Sequence, residues 1–208
     1  EMCIRDSRIA GDPVRDKDEV LWTVVDITER VKAKEKIDQL ASKLSRYLSP
    51  QVYQSIFSGK KNVKIEAYRK KLTVFFSDIK GFTEITDRLE PEVLSTLLNS
   101  YLNEMSKIAL KYGGTIDKFV GDAILIFFGD PETKGEKEDA HSCVLMALEM
   151  QERMHHLKNL WEGQGITNPL EIRIGINTGY CNVGNFGSEN RLDYTCLLYT
   201  SDAADDAN

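Results

Sequence analysis

The chain has 208 residues, 41% of them hydrophobic and 29% charged, with a formal net charge of −6. That balance belongs to an ordinary globular protein with room for one full domain and part of another, and it excludes a disordered or disulfide-stapled chain. Negative charge argues against nucleic acid as a partner, which normally meets a basic stripe. The longest uncharged apolar run, AILIFFG at 123–129, falls far short of the roughly 20 residues a membrane-spanning helix needs, so no membrane segment is expected. The opening EMCIRDSRIAGDP is polar and has no apolar h-region, which predicts no secretory signal and a cytoplasmic domain. Cys3, Cys143, Cys181 and Cys196 fall at irregular spacing with no CxxC, so they read as buried or idle thiols, not a zinc site or disulfide framework.

In chain order, residues 1–7 read EMCIRDS, and the far end, 196–208 (CLLYTSDAADDAN), shows neither periodicity nor turn logic. Both resemble translated adapter sequence from metagenomic assemblies and are set aside as an expression tag would be. The remainder carries 26 basic and 28 acidic residues, a net charge of −2. Within 8–28, Val20, Trp22 and Val24 alternate as in a strand, and the sequence turns charged and helical after Asp26. This strand followed by VDITER resembles the end of a PAS sensory domain, which implies an upstream sensor. Over 29–48, Ile37, Leu40, Leu44 and Tyr47 keep the 3-4-3 spacing of a coiled-coil seam, predicting a dimerising signalling helix. With fewer than three heptads, a single amphipathic helix lying on the domain stays open. Ser49 as N-cap, Pro50 at the first position and Gly59 as stop then mark a short helix.

The main domain is expected over 49–195. It reads as a strand at 71–77, helices over 83–111, a strand pair at 114–119 and 123–128, a helix at 137–161, a strand at 170–177 and a last pair over 179–195. Val93, Leu94, Leu97, Leu98, Tyr101, Leu102, Met105 and Ile108 repeat at the period of one buried helix face. Strand pairs alternating with single helices predict an α+β sandwich, a mostly antiparallel sheet with helices packed on it. His141, His155 and His156 lie in the 137–161 helix without ligand-spaced partners and read as surface or packing residues. Arg173, Gly175, Gly179, Gly184 and Gly187 read as structural.

Two segments carry candidate chemistry. LTVFFSDIKGFTEIT puts Asp78 where an apolar strand gives way to a helix, and Gly81 lets a ligand approach the backbone. The N–H groups of Gly81, Phe82 and Thr83 could hold phosphate oxygens there. A carboxylate at such a place is equally a good N-cap. GGTIDKFVGDAILIFFG is a pair of apolar strands around a Val-Gly-Asp turn with Asp122 at its tip, where an Asp is commonly only a turn residue. Taken together, two strand-end aspartates could hold two Mg²⁺ or Mn²⁺ ions that share a triphosphate.

FFSDIKGFTEIT, DKFVGDAILIFFG and RIGINTGYCNVGNFGSENRLDYT, in that order, resemble the class III adenylyl/guanylyl cyclase catalytic domain over about residues 46–195. The resemblance implies a ferredoxin-like sandwich and metal ligation by Asp78, Asp122 and the Ile79 carbonyl, with two ions per site. It also implies catalysis at the interface of a head-to-tail homodimer. Lys118 occupies the position that carries Lys in adenylyl and usually Glu in guanylyl cyclases, and Thr195 matches the second base-selecting position of a bacterial adenylyl subset. A Lys can donate to adenine N1 and a hydroxyl can accept from the adenine amino group, so the implied substrate is ATP and the product cyclic AMP. Read without the family, Lys118 would be a solvated strand-edge lysine. The family continues after its Thr with a Gly-Asp turn, an Asn and an Arg, which 196–208 do not match. Loss of such a group costs about 10²–10³ in rate, so low or no activity is expected of this sequence. A guanylate cyclase and a non-catalytic dimerising regulatory module are the alternatives.

Overall fold

The computed structural model describes residues 27–44, 49–57, 66–163, 170–188 and 190–198. The chain divides into two units, Glu1–Leu48 and Ser49–Asn208. In the first, α1 spans Thr28–Leu44, with Val31, Ile37 and Leu40 exposed. The strand expected over Val20–Val24, the boundary at Asp26 and the seam position Tyr47 lie outside the described residues.

The second unit opens with α2, Pro50–Phe57. Ser49 caps it as expected, its Oγ accepting from Val52 N–H at 3.3 Å. The expected stop at Gly59 lies outside the described residues. The sheet contains β1 (Ala67–Ile79), β2 (Thr115–Val120), β3 (Ala123–Phe128), β4 (Ile172–Ser188) and β5 (Arg191–Leu198). Its order is β2-β3-β1-β4-β5 and every neighbouring pair is antiparallel. The helices are α3 (Phe82–Thr86), α4 (Pro91–Tyr112) and α5 (Glu136–Gly163). An antiparallel sheet with packed helices is the α+β sandwich the sequence predicts.

β3 shows why its sequence is apolar at every position. Ile124, Ile126 and Phe128 join the core formed with Leu97, Tyr101 and Met105 of α4 and Met146, Met150 and Trp161 of α5. The alternate residues Leu125 and Phe127 face a second cluster of Leu72, Val74, Cys181, Val183 and Cys196. A strand buried on both faces has no position left for polar alternation. Burial pushes the Cys143 and Cys196 thiols up to about 12 and raises that of Cys181, so all three are inert at neutral pH.

β2 and β5 are opposite edges in pairing order, yet they touch. Four inter-strand steps of about 4.8 Å would hold them roughly 19 Å apart in a flat sheet, so this one coils strongly. A polar knot pins the coil. Buried Asp130 accepts from Lys70 Nζ at 3.0 Å, from the Tyr68 hydroxyl at 2.5 Å and from the Tyr194 hydroxyl of β5.

Three sequence expectations are corrected. The strand expected at 170–177 and the first strand of the closing pair are one continuous β4, because β1 extends from Ala67 to Ile79 and pairs along that whole length. The closing strand expected to end at Thr195 runs on to Leu198 as β5 and buries Cys196. Val93, assigned to the buried face of α4, is 41% exposed because it lies in the first turn, before the helix reaches the core. His141, His155 and His156 are exposed on α5, as expected.

Candidate active site

Asp78 and Asp122 come from different hairpins and meet at one end of the sheet. Asp78 is the penultimate residue of β1, and Asp122 sits in the β2–β3 turn. Because β1 runs antiparallel to β3, with Ser77 opposite Ile124, the end of β1 lies beside that turn. The Ile79 N–H donates to Asp122 Oδ2 at 2.8 Å, which ties the turn carboxylate to the residue that follows Asp78. Gly121 makes the turn possible. Its φ is +63° and no atom lies within 4 Å of where a Cβ would stand, so the backbone conformation, not space, favours glycine.

Arg173 stands opposite Asp78 in the β1–β4 register. Its Nε and Nη2 donate to the two Asp78 oxygens at 2.8 and 2.9 Å. The Asp78 carboxylate raises the Arg173 guanidinium further above its ordinary value, with Asp122 adding to the effect. The sequence reading assigned Arg173 a structural role. Only the strand register reveals it as the partner of Asp78, and nothing local in EIRIGIN signals it.

Beneath this end, Tyr101 of α4 is fully buried. Neither its hydroxyl nor that of nearby Ser77 has a well-formed hydrogen bond among the described residues. Burial pushes the Tyr101 phenol up to about 12, and the charges of Asp122 and Asp78 push it the same way. Ser77 pulls in the opposite direction.

Gly81, Phe82 and Thr83 lie at the corner between β1 and α3. Gly81 precedes α3 with φ +67°, and no atom lies within 4 Å of where its Cβ would be. Phe82 packs its ring against the core, and Thr83 is exposed. The first N–H groups of α3 have no intrahelical acceptor. With five residues α3 has little dipole, so these N–H groups would do any anion binding directly.

Lys118 and Thr195, 77 positions apart, are brought together by a residue that sequence reasoning did not single out. Buried Asp117 accepts from the Thr195 hydroxyl at 2.5 Å, and Lys118 Nζ stands 3.5 Å from its other oxygen. Thr195 is buried, whereas the Lys118 side chain is 42% exposed. The adjacency of Asp117 to Lys118 in IDKFVGD was the available signal. Its reach to β5 was not visible, because it depends on the coiling of the sheet.

Among the described residues no group of three or more His, Cys, Asp or Glu could hold a metal. The donor set is two carboxylates at one sheet end. Hard oxygen donors of this kind would suit a divalent cation such as Mg²⁺. Among the described residues no helix is long and apolar enough to cross a membrane.

Residues 63–201 match the model of the Adenylate and Guanylate cyclase catalytic domain. A terminal-differentiation-specific adenylate cyclase of Dictyostelium discoideum is 34% identical over 167 residues, covering 79% of this chain and 8% of that protein. The adenylate cyclase of Anabaena cylindrica is 30% identical over 140 residues, covering 67% and 27%. The chain thus spans a small part of these relatives. Among solved structures, the adenylyl cyclase CyaB from P. aeruginosa is 62% identical with a TM-score of 0.64, covering 68% of this chain and 72% of that one. The guanylyl cyclase Cya2 is 37% identical with a TM-score of 0.62, covering 68% and 71%.

Proposed function

Because the chain belongs to the adenylate and guanylate cyclase catalytic-domain family, we propose that its second unit is the catalytic domain of an adenylate cyclase, converting ATP to 3′,5′-cyclic AMP and pyrophosphate. The observation that carries this reading is the pairing of Asp78 and Asp122 through the Ile79 N–H at the sheet end. Similarity to solved structures does not choose the base, since both an adenylyl and a guanylyl cyclase resemble the chain. Lys118 favours adenine: its ammonium only donates, and adenine N1 accepts where guanine N1 carries a proton.

Asp78 and Asp122 would hold two Mg²⁺ or Mn²⁺ ions, with the Ile79 carbonyl beside them; divalent cations supply charge neutralisation and a more acidic 3′-hydroxyl. In the overall reaction the ribose 3′-oxygen bonds to the α-phosphorus, the bond to the β-phosphate bridging oxygen breaks, pyrophosphate leaves and the hydroxyl proton passes to solvent. This chain's groups orient and hold. Arg173 holds the Asp78 carboxylate until a cation takes it, and the N–H groups of Gly81, Phe82 and Thr83 line the place for phosphate oxygens. Lys118 and Thr195 read the base, so much of the entropy of ring closure is met by binding.

The reading includes a head-to-tail homodimer in which Lys118 and Thr195 complete the partner's metal pair. Phe119 and Val120 at the hairpin, Phe76 on the sheet and Leu197 and Leu198 of β5 are exposed apolar residues of the kind a dimer covers. α1, with Ile37 and Leu40 exposed, would add a second dimer contact and pass on the state of an upstream sensor.

Binding tests the reading directly. Purified protein should bind ATP in the presence of Mn²⁺ more tightly than GTP and release it on chelation. Equal binding with and without the cation would defeat the reading. Preference for GTP would favour a guanylate cyclase.

A further inference from the structure

The β2 register slips by one residue. Ile116 pairs with Ile126 and Lys118 with Leu125, so Asp117 is the extra residue of a β-bulge. In a regular strand, residues 117 and 118 would face opposite sides. The bulge turns the Asp117 carboxylate, 1% exposed, into contact with β5. Bulges re-aim side chains in this way beside functional sites.

Building on the reading of Lys118 and Thr195 as the base-reading pair, we propose that Asp117 is a specificity-positioning residue: by taking the one hydroxyl proton of Thr195 and anchoring Lys118, it fixes the hydrogen-bond polarity with which the pair meets a purine.

A carboxylate only accepts, and a Thr hydroxyl has a single proton. With that proton given to Asp117, Thr195 Oγ1 presents only lone pairs to a ligand. Lys118 spends one of its three N–H donors on the other Asp117 oxygen and keeps two. The pair therefore offers one acceptor beside donors. Adenine presents an amino donor next to the N1 acceptor, which is the complement. A 6-oxo purine presents a carbonyl acceptor next to an N1–H donor and is mismatched at both positions. Without Asp117 the Thr195 hydroxyl would be free to rotate and donate to the carbonyl, and the mismatch would halve. The Cys196 N–H also serves Asp117; burial raises the Asp117 carboxyl above its ordinary value, and the Thr195, Lys118 and Cys196 donors oppose that shift without cancelling it.

The alternative is that Asp117 only ties β2 to β5. A comparison of ATP with ITP separates the two, because ITP carries the 6-oxo and N1–H groups without the 2-amino group of guanine. Dissociation constants for both nucleotides with Mn²⁺ would be measured by competition against a fluorescent nucleotide, for wild type, Asp117→Asn, Thr195→Val and the double variant. Asn keeps the size of Asp but can donate, which releases the hydroxyl. The expected result is a fall of about tenfold in the ATP-over-ITP preference for Asp117→Asn, the size of one buried hydrogen bond made or unmade. Most of that change should come from tighter ITP binding. In the Thr195→Val background the same substitution should change the preference by less than about twofold, since coupled residues are non-additive.

Should Asp117→Asn not fold, Asp117→Ser gives the hydroxyl the same freedom. An equal weakening of both nucleotides, or an undiminished effect of Asp117→Asn without the Thr195 hydroxyl, would overturn the proposal. A wild type that binds ATP and ITP alike would instead show that Lys118 and Thr195 do not read the base, and the proposal would fall with that reading.

Discussion

Arg173 stands directly across the β1–β4 ladder from Asp78 and donates to both of its carboxylate oxygens, at 2.8 and 2.9 Å. The fork matches a carboxylate as only a guanidinium can. Both side chains reach solvent, 67% exposed for Arg173 and 30% for Asp78. Such a pair contributes about 0–1 kcal/mol to folding, so its importance lies in holding the carboxylate. Arg173→Ala is expected to shift the unfolding midpoint by no more than about 4 °C. It should also let Mn²⁺ alone bind Asp78 several-fold more tightly, read by electron paramagnetic resonance of the free ion. Unchanged Mn²⁺ affinity would mean that Arg173 does not compete for that carboxylate.

Lys118→Glu replaces a donor with an acceptor at the exposed end of the base-reading pair. It also puts a second carboxylate beside Asp117, in place of the cation 3.5 Å away. Preference should move toward GTP by about tenfold or more in competition binding. Unchanged ATP selectivity would remove Lys118 from base selection.

Much of this arrangement was legible in the sequence because it is local. The helix period at Leu97, Tyr101, Met105 and Ile108, the Ser49 cap and the Val-Gly-Asp turn each declare themselves within a few residues. The antiparallel α+β sandwich followed from their order. Long-range register was not legible. The Asp78–Arg173 pair spans 95 positions and Thr195–Asp117 spans 78, and both depend on which strands pair and how far the sheet coils. For the same reason β4 read as two strands. Its glycines at 175 and 179 look like breaks, yet they pair with Phe76 and Leu72 of one long β1.

Tyr101 makes stability depend on pH in the alkaline range. Its folded value is pushed up to about 12 from an ordinary 10.0, chiefly by burial. The group's contribution is full below pH 10 and is lost as pH rises from 10 to 12, because the unfolded chain ionises first. The loss amounts to about 2–3 kcal/mol across that window. Tyr101→Phe should flatten this part of the profile and change neutral-pH stability by less than about 1 kcal/mol, since the hydroxyl has no well-formed partner to lose. Denaturant titrations at pH 8, 10 and 11.5 provide the check. An equally steep decline in the Phe variant would assign it elsewhere.

Two alanine substitutions should differ sharply in cost. At Gly121 a Cβ meets nothing within 4 Å, so Gly121→Ala costs only the backbone strain of positive φ, about 1–2 kcal/mol. At Gly184 the Cβ would stand 2.2 Å from the Glu66 carbonyl oxygen and 2.6 Å from Ala67 Cα. Those are backbone atoms of the β1–β4 ladder, and Gly184→Ala should cost more than about 3 kcal/mol. Similar unfolding free energies for the two variants would contradict the tight approach.

The most direct measurement is calorimetric titration of Mn-ATP into wild type, Asp78→Asn and Asp122→Asn, each confirmed folded by its unfolding midpoint. If the two aspartates hold the cations that carry the nucleotide, each variant should bind more weakly by at least the roughly 10–100-fold that losing even an outer-shell partner costs. Wild-type affinity for Mn-ATP in both folded variants would contradict the account at its centre.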